Sequence, residues 1–133
     1  MVWSPLAGGL LTGIYLGEPP AAGARLSPIS WGAKHFTPQA DAAAASRADC
    51  AALQGVTLTA LSLAWTMQRP GIGSIVLGPR STEQLAGQLV ASEVRLYSET
   101  LERIDAIVPP GHVVVPYYVD DSFADFRPHP YRW

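Results

Sequence analysis

A chain of 133 residues with 48% hydrophobic and 15% charged residues is too apolar for a disordered tail and too poor in charge for a coiled coil. A formal charge of −2, with nine Lys and Arg scattered along the chain, argues against a nucleic-acid binder, which would carry a basic face. The apolar stretches fall short of the roughly 20 residues that a membrane span needs.

Taken in order, Val2-Trp3 reads as the end of a buried strand, and Ser4 to Gly13 follows as a glycine-rich loop. Residues 17–38 hold Pro19, Pro20, Pro28 and Pro38 with several glycines, and read as an irregular connection of functional length. Thr37-Pro38 predicts an N-cap followed by proline at the first helical position. The alanine-rich run Ala40 to Gln54 propagates that helix, and Gly55 stops it. A second helix starts at Thr57, sets Leu58, Leu61 and Trp65 at helical spacing, and stops before Pro70. Ser74-Ile75-Val76-Leu77, between glycines, predicts a short buried strand of the parallel type.

Ser81 and Gln84 stand at capping-box spacing and open a third helix with Leu85 and Leu89 among its apolar positions. A fourth helix is expected from about Ser98 to Val108, with Leu101, Ile104 and Ile107/Val108 as its stripe and Pro109-Pro110 as its end. Gly111 to Trp133 is a proline- and aromatic-rich tail without a clear period. Strand end, helix, strand, loop and helix together form the grammar of a parallel α/β protein.

Two strand-end loops carry the chemistry. In Ser4–Gly13, Gly8 and Gly9 lack a Cβ, so backbone N–H groups can approach an anion closely; a plain flexible turn is the alternative. In Gly78-Pro79-Arg80-Ser81, the free N–H groups of the next helix form an anion site. Arg80 adds a planar cationic fork that suits phosphate oxygens, or stands as a solvated surface charge. Ser81 offers a hydroxyl that either caps the helix or donates to phosphate. In a closed eight-fold β/α barrel, a phosphate site is often built by the loops after the seventh and eighth strands.

The wording of these segments is more specific than their periodicity. Trp3-Ser4-Pro5-Leu6-Ala7-Gly8-Gly9-Leu10-Leu11-Thr12-Gly13 resembles the segment after the seventh strand of aldo-keto reductases, in the branch with the potassium-channel β subunits and many bacterial reductases. Leu61 to Trp65, Arg69-Pro70-Gly71 and Ser74 to Leu85 resemble the helix, eighth strand and cofactor loop of that family. The resemblance implies an incomplete barrel: the C-terminal part of a (β/α)8 TIM barrel, with the end of the seventh strand, the eighth strand and their flanking helices. It covers residues 1–108 as the cofactor-binding region and leaves 109–133 as the tail.

The resemblance also implies NADP(H) as cofactor. Trp3 would stack on the nicotinamide, while Ser4, Pro5, Leu6, Gly8 and Gly9 would line the pyrophosphate. Gly78, Arg80 and Gln84 would hold the adenosine end, with Arg80 favouring the 2′-phosphate. The family often has Lys where this chain has Ile14, and an acidic residue and Asn where it has Gly87 and Gln88. Gln88 is the substitute expected for the Asn, and Arg25 a further basic contact.

The family reduces small carbonyl substrates with a Tyr proton donor, Lys, Asp and usually His, all from the first four strands. None of Tyr15, Tyr97, Tyr117, Tyr118 and Tyr131 lies in a matching motif, and Lys34 is the only lysine. The expectation is therefore a cofactor-gripping portion of an oxidoreductase without catalytic residues. The alternative is a non-catalytic interaction module or half-barrel that pairs with another chain or with itself through uncovered strand edges.

His35, His112 and His129 lack metal-ligand spacing to one another or to Cys50, so no metal is expected. Cys50, the single cysteine, reads as a small helical residue rather than a catalytic thiol. A lone cysteine and the lack of a basic segment in Met1–Pro5 point to the cytoplasm, with neither nucleic acid nor membrane as partner.

Overall fold

The computed structural model describes residues 1–18, 21, 22, 24, 26 and 36–115. Arg25, Lys34, His35, most of the proline-rich connection and the tail from residue 116 lie outside these described residues.

Among the described residues, four α-helices carry the fold: α1 (Pro38–Gln54), α2 (Leu58–Met67), α3 (Thr82–Leu89) and α4 (Ser98–Ile107). The expected punctuation holds. Thr37 Oγ1 accepts the Ala40 N–H at 3.1 Å, with Pro38 next to the cap. At the other end of α1, Gly55 takes a left-handed φ of 72°. The Gly55 and Val56 N–H groups bond back to Ala52 and Ala51, which satisfies two terminal carbonyls in a Schellman closure. Thr57 then caps α2 in the same way, accepting from Ala60 N at 3.1 Å.

Helix α2 is the hub. Leu58, Ala60, Leu61, Ser62, Leu63 and Ala64 are all buried, so it is apolar around most of its circumference. Leu58 and Leu61 pack with Cys50 and Ala51 of α1 and Ile104 of α4. Ala60, Leu63 and Ala64 pack with Ala91 and Val94, and against Leu6, Ile75 and Leu77. A third cluster joins Leu10 of the glycine loop and Tyr15 just after it to Leu26 and to Ala40 and Ala44 of α1. Among the described residues, no single helix is long and apolar enough to cross a membrane.

Two glutamines do what no sequence pattern announces. The Gln68 amide donates to Val94 O at 2.9 Å and accepts from Leu96 N at 3.3 Å. Gln54 donates to Arg95 O at 3.0 Å and accepts from Thr100 Oγ1 at 2.7 Å, with a longer contact from Tyr97 N at 3.5 Å. The two amides thus take the place of neighbouring strands for the extended run 94–97. Replacing Gln68 by Leu orphans a half-buried N–H and a carbonyl together. The expected cost is about 1–3 kcal/mol of unfolding free energy, read by urea denaturation.

A charged cluster ties α4 to α1 and α2. The Arg47 and Arg69 guanidinium groups lie 5.0 and 4.5 Å from the Trp65 ring centroid, and Arg69 pairs with Asp105 at 3.3 Å. Burial pushes the Arg47 pKa down, while the Asp105 carboxylate opposes that shift by favouring the cation.

The strand expected at Ser74–Leu77 takes a reduced form. Val2 and Ile75 make one parallel bridge, with Val2 N donating to Ser74 O at 2.9 Å and Val76 N to Val2 O at 2.8 Å. Ile75 and Leu77 pack towards α2, but Val76 is 44% exposed, so only one face of this segment is covered. In α3 no residue is buried, and its apolar positions Leu85 and Leu89 face solvent.

Candidate functional site

The Val2–Ile75 bridge is parallel, so both segments run the same way and leave the pair at the same end. Trp3-Ser4 opens the glycine loop there, and Leu77-Gly78 opens the loop that enters α3. Alternation along extended backbone places Trp3 and Val76 on the face opposite Val2 and Ile75. Trp3 is accordingly 63% exposed.

The glycine loop is wound left-handed. Ser4 has a φ of 53°, and Ala7, Gly8 and Gly9 follow at 48°, 70° and 107°. Ala7 N bonds back to Ser4 O at 3.0 Å, and Leu6 O accepts from both Gly9 N (2.9 Å) and Leu11 N (3.2 Å). A positive φ at Ser4 and Ala7, which carry a Cβ, is strained backbone of the kind that clusters at binding sites. Leu6 points into the α2 cluster and anchors the loop. The two glycines therefore serve the winding itself as well as any close approach of an anion. Ile14 is 71% exposed and brings no charge to the loop.

The second loop is braced from within. Ser81 Oγ accepts from Gln84 N at 3.2 Å, which caps α3. The Gln84 side chain does not return to the Ser81 N–H as a capping box would. Its Oε1 accepts instead from Arg80 N at 2.8 Å, one residue earlier. That bond fixes the Arg80 backbone and leaves its side chain exposed.

Hydrogen bonding by the Ser81 side chain, and by the backbone, holds the Glu83 carboxyl below its usual range. Ser81 is thus engaged as a cap and with Glu83. Gln88 has its Oε1 buried without a partner, and Gly87 faces open space: a Cβ built there meets nothing within 4 Å. Gly87→Ala is expected to stabilise the chain by about 0.5–1 kcal/mol, seen as a rise in the urea midpoint.

Trp3, Ser4, Pro5, Leu6, Gly8 and Gly9 therefore stand on one loop and Gly78, Arg80, Gln84 and Gln88 on or beside the other, at one end of the bridge. Thr12 and Tyr15 were not singled out from the sequence. Thr12 Oγ1 donates to Gly9 O at 2.7 Å, and Tyr15 is buried beneath Gly9. A threonine just before a glycine in a loop is a weak signal for such a side-chain-to-backbone bond. A shallow cavity of about 200 Å³ lies elsewhere, lined by Cys50, Leu53, Tyr97, Glu99, Thr100 and Arg103, none of them in either loop. Among the described residues, no three His, Cys, Asp or Glu side chains come together as a metal site.

One parallel bridge whose two segments open into a glycine loop and a capped helix is an arrangement found in parallel α/β proteins. The aldo/keto reductase family matches residues 1–109, and the chain belongs to that family. It is 33% identical over 114 residues to a Schizosaccharomyces pombe protein named as a voltage-gated potassium channel subunit beta. That match takes in 80% of this chain and 33% of the relative, so the chain spans about a third of the relative's length.

Proposed function

We propose that residues 1–108 are the NADP(H)-binding portion of an aldo-keto reductase, corresponding to the end of the seventh strand, the eighth strand and the flanking helices of a (β/α)8 barrel, with 109–133 as its tail. The parallel Val2–Ile75 bridge carries this reading, because it sends the two family-like loops out at one end. Bound there, NADPH would supply a hydride for the reduction of a small carbonyl compound.

The residues fit such a cofactor at both ends. The exposed Trp3 ring suits a flat nicotinamide, the loop Ser4–Gly9, left-handed at Ser4 and at Ala7 to Gly9, suits the pyrophosphate, and the Arg80 fork suits the 2′-phosphate. Gln84 acts on the adenosine end by holding the Arg80 backbone. No residue of this chain is assigned as proton donor, since no tyrosine falls in a matching motif and Lys34 is the only lysine. The reading therefore expects cofactor binding without turnover. NADPH titrated against the purified chain should quench tryptophan fluorescence saturably and more strongly than NADH, with no aldehyde reduced. Equal, non-saturating responses to both nucleotides would overturn it.

A second reading, an interaction module or half-barrel, is favoured by Leu85 and Leu89, exposed one turn apart on α3, and by the exposed Val76. Light scattering after size exclusion separates the two: a clean monomer counts against self-association.

A further inference from the structure

We infer that Thr12, seated with Tyr15 under the glycine loop, is a positioning residue that holds the loop in its binding shape. The inference deepens the NADP(H) reading and rests on it for its functional consequence. Three consecutive residues, Ala7, Gly8 and Gly9, stand at φ values of 48°, 70° and 107°. Left-handed backbone is not self-sustaining as a run, and at Ala7 the Cβ works against it. Neighbouring groups must over-determine such a conformation for it to persist.

Thr12 supplies one such constraint. Its hydroxyl donates to the Gly9 carbonyl at 2.7 Å, and its oxygen lies 3.5 Å from the Ile14 N–H. The short bond reaches back across the end of the left-handed run. Because the peptide unit is planar, fixing the Gly9 carbonyl also fixes the direction of the Leu10 N–H.

Tyr15 supplies the floor. It is buried, packs edge-on against Phe36 with centroids 6.2 Å apart, and belongs to the cluster with Leu10, Ala40 and Ala44. A Cβ built on Gly9 would stand 3.4 Å from Tyr15 Cε2. The loop is thus clasped from its C-terminal side by a hydroxyl and supported from below by a ring. Neither group needs to touch the ligand.

The test compares Thr12→Val, which keeps the shape and removes the hydroxyl, with Thr12→Ser, which restores it. Backbone ¹⁵N relaxation of the free chain reads the loop, and NADPH titration reads its consequence. In Thr12→Val the heteronuclear NOE at Gly8 and Gly9 should fall while the α1 and α2 amides keep theirs. NADPH affinity should weaken about tenfold, and Thr12→Ser should resemble the parent in both. Unchanged NOE values at Gly8 and Gly9 in Thr12→Val would overturn the inference, whatever the nucleotide does. Loosened glycines in a chain whose parent shows no saturable NADPH binding would uphold the clasp and remove the cofactor reading instead.

Discussion

Leu61→Ala is expected to lower the unfolding free energy by about 2–5 kcal/mol. Leu61 has 0% exposure on the hub helix and belongs to a cluster drawn from three helices: Cys50 and Ala51 of α1, Leu58 of its own helix, and Ile104 of α4. Truncation removes the transfer free energy of its methyl groups and leaves a cavity that three helices cannot close together. Domains are stable by only about 5–15 kcal/mol, so this one change consumes a large fraction of the total. Urea denaturation followed by circular dichroism should show a lower midpoint at unchanged slope. The control is Leu89→Ala on α3, where 54% exposure predicts a change within about 0.5 kcal/mol. A loss below 1 kcal/mol at Leu61 would mean that the three-helix core is wrongly assigned.

Arg80→Met should weaken NADPH binding by about 10- to 100-fold and leave NADH binding nearly unchanged. A charge-assisted hydrogen bond contributes about 1.5–3 kcal/mol, and 1.4 kcal/mol is a factor of ten. The substitution is selective because Gln84 holds the Arg80 backbone N–H rather than its side chain. The loop brace and the α3 cap at Ser81 survive the change. The difference between the two nucleotides should also shrink as salt is added, since an exposed guanidinium is screened. Equal losses for NADPH and NADH would mean that Arg80 acts through loop shape and not through the 2′-phosphate.

Helix ends were the most legible features because their determinants are local. Thr37, Pro38, Gly55 and Ser81 act on backbone groups within a few residues, and each is found in its expected role, while Thr57, expected to begin the second helix, caps it. The family, too, was readable from the wording of two loops, and the match over residues 1–109 agrees with it. Less was legible where burial decides the outcome. Ile75, Leu77, Leu85 and Leu89 are all apolar, yet the first two pack on α2 while Leu85 and Leu89 face solvent. An alternating or helical pattern says which residues share a face, but not whether anything covers it.

The two loops show the same division most sharply. Residue types alone made Gly8, Gly9, Arg80 and Ser81 candidates for an anion site, because lack of a Cβ, a fixed positive charge and a capping hydroxyl are properties of single residues. Only the tertiary structure brought the loops to one end, through two hydrogen bonds between segments more than 70 positions apart in sequence. It alone turned Gln84 onto the Arg80 N–H and set Thr12 and Tyr15 against Gly9. Such contacts depend on the direction in which a side chain leaves its element, and sequence spacing does not encode that direction.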